Sequence, residues 1–159
     1  MFLASTVFAT LVAIPSTFQK LTRVAGIRPE ISQQDAEQVF EKLHKNMFRA
    51  FDYRDEEDVY DSLQASIEGP LLSTTYQNVR KSLAMQSQGG AISHIDEVQY
   101  VAGELSDTIP GESIDYPGFA FRCQWNLIGS VEHWAHVHQK TIKYDAIFHV
   151  EPIDGSWKI

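Results

Sequence analysis

His133, His136 and His138 lie within the short stretch 133–138, and neutral imidazole is a common ligand for zinc, nickel and copper. Three such donors form an open metal site only if the backbone turns them toward one point. On an unbroken strand, alternation places His136 and His138 on one face and His133 on the other. If Trp134 to Val137 instead forms a hairpin turn, His133 and His138 become approximate cross-strand partners with His136 at the tip. Three readings follow: packing and turn hydrogen bonding beside Trp134, binding of a divalent metal through the three rings, and acid–base catalysis. The last requires an orienting partner, and the adjacent Glu132 points to the opposite face of a strand.

A second cluster, Asp52, Asp55, Glu56, Glu57, Asp58 and Asp61, matches no calcium-loop spacing. Its carboxylates suit the positive end of a helix, where backbone N–H groups lack partners. His44, His94 and His149 stand alone and read as surface or partly buried residues. Cys123 is the only cysteine, so an internal disulfide is excluded, and its aromatic-rich surroundings make it an apolar filler. Trp125, Trp134 and Tyr144 are candidate ligand-binding residues if the strands curl around an apolar cavity; Trp125, Tyr144, Trp157 and Phe148 are otherwise core. No glycine-rich phosphate loop, nucleophile elbow or metalloprotease helix is present in the sequence. With 21 acidic against 13 basic residues and a net charge of −8, the chain is poorly suited to a partner held through its phosphates, which argues against nucleic acid.

These residues must be positioned by elements of modest size, because 159 residues with 43% apolar content support one core. Residues 1–19 carry no ionisable side chain. As a helix they reach ~28 Å, close to the ~30 Å hydrocarbon thickness of a bilayer. They read as a membrane anchor or the last span of a longer membrane protein. A secretory signal peptide is the rival, without a basic residue before the apolar run or a clean cleavage site after it. Residues 20–31, with Gly26 and Pro29, read as a linker. Lys20, Arg23 and Arg28 within it favour the cytoplasmic side for the domain that follows.

Residues 32–159 are expected to form an α+β domain. Ser32 to Asp35 resembles a capping box, with the serine hydroxyl accepting from a backbone N–H and the acid reaching back to another. Ala36, Val39, Phe40, Leu43, Met47, Ala50 and Phe51 then mark one face of a helix. Val59, Tyr60, Leu63 and Ile67 mark a second helix. Leu71, Leu72, Thr75, Tyr76, Val79 and Leu83 mark a third, begun by Gly69-Pro70 and stopped near Gly89-Gly90. From Ala91 the period becomes two. A strand runs roughly from Ile92 to Leu105, and a long hairpin follows. Phe119, Phe121, Cys123, Trp125 and Leu127 share one face of its first strand, and Tyr144, Ala146, Phe148 and Val150 one face of the second. Gly129 is a candidate bulge. Asp154-Gly155 signals a tight turn into a fourth strand, and Trp157-Lys158-Ile159 reads as mid-strand, suggesting truncation at the C-terminal end.

Helices followed by antiparallel strands, with the ending Asp154-Gly155-Ser156-Trp157-Lys158-Ile159, resemble the nuclear transport factor two-like, or cystatin-like cone, family. That resemblance covers roughly Ser32 to Ile159 and implies a curved sheet wrapped around a long helix. With the elements read above, the expected fold is three helices packed on a curved four-stranded antiparallel sheet, which departs from the family's usual layout by placing three helices before any clear strand. The family includes isomerases, dehydratases, hydrolases, transport adaptors and non-catalytic membrane-associated domains, so it implies no single activity. Residues 49–58 together with 133–138 also look like the soluble tail of membrane proteins resembling hydrogenase and urease accessory transporters, which would imply a divalent-metal accessory role. The sequence favours a membrane-tethered, non-catalytic domain held to the membrane through residues 1–19, with a protein partner or a second copy of itself. A small-molecule or enzymatic cone pocket and the metal role are the alternatives.

Overall fold

The computed structural model describes residues 31–88, 92–108, 118–133 and 136–159. The proposed membrane segment 1–19 and nearly all of the linker 20–31 lie outside the described residues. Among the described residues, no helix is long and apolar enough to cross a membrane.

Three helices form the first half. Helix α1 spans Gln33–Arg49 and continues into a 3-10 turn, Ala50–Asp52. Ser32 caps it, its hydroxyl oxygen accepting from the Asp35 N–H at 3.1 Å. The reciprocal arm differs from the expected capping box. The Asp35 carboxylate accepts the Ser32 hydroxyl proton at 2.7 Å, because an aspartate is one methylene shorter than the glutamate that normally returns to the cap backbone. Ala36, Phe40, Leu43, Met47 and Ala50 are buried as their spacing predicts.

Helix α2, Glu56–Gln64, is capped by Asp55, whose side chain accepts from the Glu57 N–H at 2.9 Å. Three acids in its first turn complement its unpaired N–H groups. Val59, Leu63 and Ile67 are fully buried, whereas Tyr60 is exposed and meets Tyr76 edge-on. Helix α3, Gly69–Ser87, starts with proline in its first turn and buries Leu72 and Val79.

Four antiparallel strands follow in the order β1-β2-β3-β4: β1 Ile92–Thr108, β2 Phe119–His133, β3 His136–Ile153 and β4 Ser156–Lys158. The hairpin register pairs Phe121 with Phe148, Cys123 with Ala146 and Trp125 with Tyr144, so the two predicted apolar faces coincide. Strand β1 shifts register against β2 at three places, between Ile95 and Glu97, Tyr100 and Ala102, and Leu105 and Asp107. Each extra residue bends and twists the strand. The expected bulge at Gly129 is therefore on the opposite strand, at Asp96. Gly129 stays in register with β3 and pairs with Ile95 of β1, and a Cβ there would lie 2.7 Å from the His94 carbonyl oxygen.

Asp154 and Gly155, at φ of 48° and 79°, make the turn into β4. The primed-turn conformation they share matches strand twist. Strand β4 is short, and Ile159 leaves the ladder: its N–H donates to the Ser66 carbonyl and its own carbonyl accepts from the Glu68 N–H. The ending that reads as mid-strand is thus a clasp onto the α2–α3 connection. Two apolar cores result. One lies between α1 and the sheet around Phe40, Phe121 and Trp125, the other joins Met47 to α2 and α3, and Phe48 and Ile159 touch both.

A methyl group at Gly129 has to displace backbone. Gly129→Ala is expected to lower stability by about 1–3 kcal/mol, the usual range for overpacking. Urea denaturation measures it, and an unchanged midpoint would show that the neighbouring bulge absorbs the methyl.

Candidate functional site

The histidine segment sits at the far end of the β2–β3 hairpin. There His133 pairs with His136 and Val131 with His138. The expected turn from Trp134 to Val137 is shorter, and His138 does not face His133 across the ladder. Trp134 and the side chain of His133 lie outside the described residues. His136 and His138 are exposed. Among the described residues, no group of three histidine, cysteine or carboxylate side chains is placed to hold a metal ion.

Trp125 and Tyr144, in contrast, meet. Their rings stack with centroids 4.9 Å apart and planes at 13°, as directly opposed residues on one sheet face allow. Trp125 is buried, while Tyr144 remains 40% exposed. Tyr144 is six positions along β3 from His138, about 20 Å at the rise of a strand. The aromatic pair and the histidines are therefore separate places, not two sides of one mouth.

Beneath α1 the concave face is filled. Helix α1 lowers Phe40, His44 and Phe48 onto it. The His44 ring lies 5.2 Å from Phe40, 4.9 Å from Phe48, 4.9 Å from Trp125 and 5.6 Å from Phe148. Its Nε2 is buried without a hydrogen-bond partner, as is the Trp125 indole nitrogen. Burial in this ring of aromatics drives the His44 pKa down from 6.5 to about 4, because desolvation penalises the imidazolium. Cys123, beneath the same layer, has its thiol pushed up to about 12, chiefly by burial, so it is held as an unreactive thiol. Tyr100 donates to Glu37 at 2.7 Å, and burial together with that bond raises its pKa.

Open space lies beside this packing. A cleft of about 440 Å³ between α1 and β1 is lined by His44, Lys45, Asp52, Asp96, Glu97 and Tyr100. Another, of about 290 Å³, lies between α3 and the far part of the sheet, against Val79, Leu83, Leu127, Val131 and Ile142. The convex face carries a polar ladder: Arg122 grips Asp145 with two bonds of 2.9 Å, Gln124 donates to the same carboxylate at 3.1 Å, and Glu104 approaches Arg122 at 3.7 Å. Hydrogen bonding from Arg122 lowers the Asp145 pKa. Within the acidic cluster, Asp55, Glu56, Glu57 and Asp58 sit at the start of α2. Asp55 caps α2, and Glu56 ties it to α3 through Arg80 at 3.0 Å and the Tyr76 hydroxyl at 3.2 Å.

His44 is the residue that sequence reading set aside. Its signal was positional: it lies four residues after Phe40 and three before Met47, on the stripe that faces the core. Its folded pKa is below its unfolded one, so its contribution is intact above pH 6.5. As pH falls toward 4 the unfolded chain takes up the proton first, and stability drops by on the order of 3 kcal/mol. Replacing His44 with Leu is expected to remove this component, which urea titrations of both proteins between pH 7 and 4 would measure. Parallel stability curves for the two would show that the ring reaches water.

No family model matches the chain, and no curated protein matches it. Among solved structures, 13 chains match. One is the intermembrane space region of chloroplast protein ARC6, similar at a TM-score of 0.53 and 13% identity, over 82% of this chain and 93% of that one. At that identity the likeness shows a shared fold alone.

Proposed function

We propose that the chain is a membrane-tethered, non-catalytic domain of cone type that binds a protein partner or assembles with copies of itself through its exposed sheet. The observation that carries this reading is the packing of α1 onto the concave face. Phe40, His44, Phe48, Trp125 and Phe148 fill the part of that face beneath the helix. Apolar side chains are meanwhile displayed on the strands, with Val101 54% exposed, Val137 65% and Ile147 56%. Exposed apolar groups on a sheet are usual at sites of association. The tether is the apolar segment 1–19, with Lys20, Arg23 and Arg28 favouring the cytoplasmic side. The ARC6 region with the shared fold is described as lying in an intermembrane space, a setting compatible with a folded domain carried next to a bilayer.

A second reading, a small-ligand site, draws support from the 440 Å³ cleft beside His44. A ligand there would meet a neutral imidazole flanked by charges of both signs.

Removing residues 1–24 is expected to move the chain from the membrane pellet to the supernatant with its far-ultraviolet circular dichroism retained. Continued sedimentation with membranes in the absence of detergent would overturn the tether.

A further inference from the structure

The two edges of the sheet are unequal. Strand β1 forms one edge and is interrupted by three register shifts, which spoil it as a template for another strand. Strand β3 forms the other edge over residues 136–150, because β4 covers only Glu151 to Ile153. Its register with β2 is unbroken from His136 to Val150, and that stretch contains neither proline nor glycine. Helix α1 reaches this side of the sheet only near its β4 end, through Phe148 and β4, and Val137, Ile142 and Tyr144 farther along β3 stay exposed. Long, regular, uncovered edges of this kind are rare in proteins that remain alone, since their backbone groups are ready to pair.

We infer that the β3 edge is the assembly surface, and that its occupant is the β3 edge of a second copy, paired antiparallel about a two-fold axis at Ile142. The inference rests on the assembly reading above and assigns its surface.

The register follows from the side chains. In a symmetric antiparallel pair the concave faces stay on one side, so facing residues have numbers of equal parity. Centred on Ile142, the pairing sets Val137 against Ile147 of the second copy. These are the two most exposed apolar residues of β3, at 65% and 56%, and each covers the other. Gln139 faces Asp145, Lys140 faces the Tyr144 ring, and Thr141 faces Lys143. No like charges are opposed, and the Val137–Ile147 and Lys140–Tyr144 contacts are of types that favour strand pairing.

The adjacent registers are worse. Centring on Lys143 opposes two ammonium groups, and centring on Thr141 sets Val137 against Asp145. Centring on Tyr144 would bring Val137 against Glu151, whose edge is already taken by Lys158 of β4. Strand β4 therefore acts as a stop that limits how far two copies slide. A membrane tether on each copy would raise their effective concentration and favour the pairing.

The test uses the full chain in detergent micelles. Mild oxidation of Ile142→Cys should give a disulfide-linked dimer, while Lys143→Cys and the native chain, whose single thiol is buried, should not. Hydrogen exchange on the native chain at low and high concentration should show alternate amides of 136–148 protected about tenfold more at high concentration, with β1 unchanged. Cross-linking through Lys143→Cys in place of Ile142→Cys would overturn the register. A chain that self-associates by sedimentation without added protection on β3 would overturn the edge assignment and leave the assembly reading standing. A folded chain that stays monomeric at every concentration would overturn both the edge proposal and self-assembly. The tether would then still be judged by the fractionation experiment.

Discussion

The structure depends on one contact: the aromatic side of α1 pressed into the hollow of the sheet. Phe40 stacks on Phe121 at 4.7 Å and tilts against Phe148 at 5.0 Å, while Trp125 closes the layer over His44. Aromatic pairs add directional attraction to the large area they remove from water. A flat sheet would touch a helix along a narrow line, so the curvature imposed by the β1 bulges lets rings from β2 and β3 reach around α1. The second core, among the helices, is coupled to the first through Phe48 and Ile159, which touch both.

His44 shows what that contact demands. A ring with one buried, unpartnered nitrogen is tolerated because it is neutral and because its faces and edges meet other rings. An aliphatic side chain would fill the volume without the edge-on contacts to Trp125, Phe48 and Phe148. The same enclosure explains why an aromatic-lined concavity, ordinarily a candidate for ligand binding, is here occupied by the protein's own helix.

Most of the architecture was legible from periodicity. Apolar residues at three- and four-residue steps located α1 to α3, and the alternation from Phe119 onward gave the hairpin its inward face. Ser32 and Asp55 marked helix starts through short-range hydrogen bonding that sequence spacing captures well. Long-range features were harder to see. The bulges on β1 follow from how that strand fits β2, and nothing in the local sequence at Asp96 or Val101 specifies them. Gly129 pointed to the right neighbourhood but the wrong strand, because here the glycine makes room for the backbone next to a bulge on the strand it pairs with. The separation of Tyr144 from the histidines along β3 was implicit in alternation and strand rise. The burial of His44 was implicit in its place on the helical stripe, yet residue type suggested surface. Its environment depends on β2 and β3, far away in the chain.

The clasp made by Ile159 bears on how the protein is born. Lys158 donates to the carbonyl of Gln64, 94 residues earlier, and Ile159 bonds to both Ser66 and Glu68. Contacts so distant in sequence slow folding, since a long loop must close before they form. During synthesis at about 5–20 residues per second, α1, α2 and α3 emerge first; Leu63 and Ile67 have partners among the helices, whereas Phe40 has none until the hairpin follows. The helical layer is therefore fastened late, by a strand end that reaches back across nearly the whole domain.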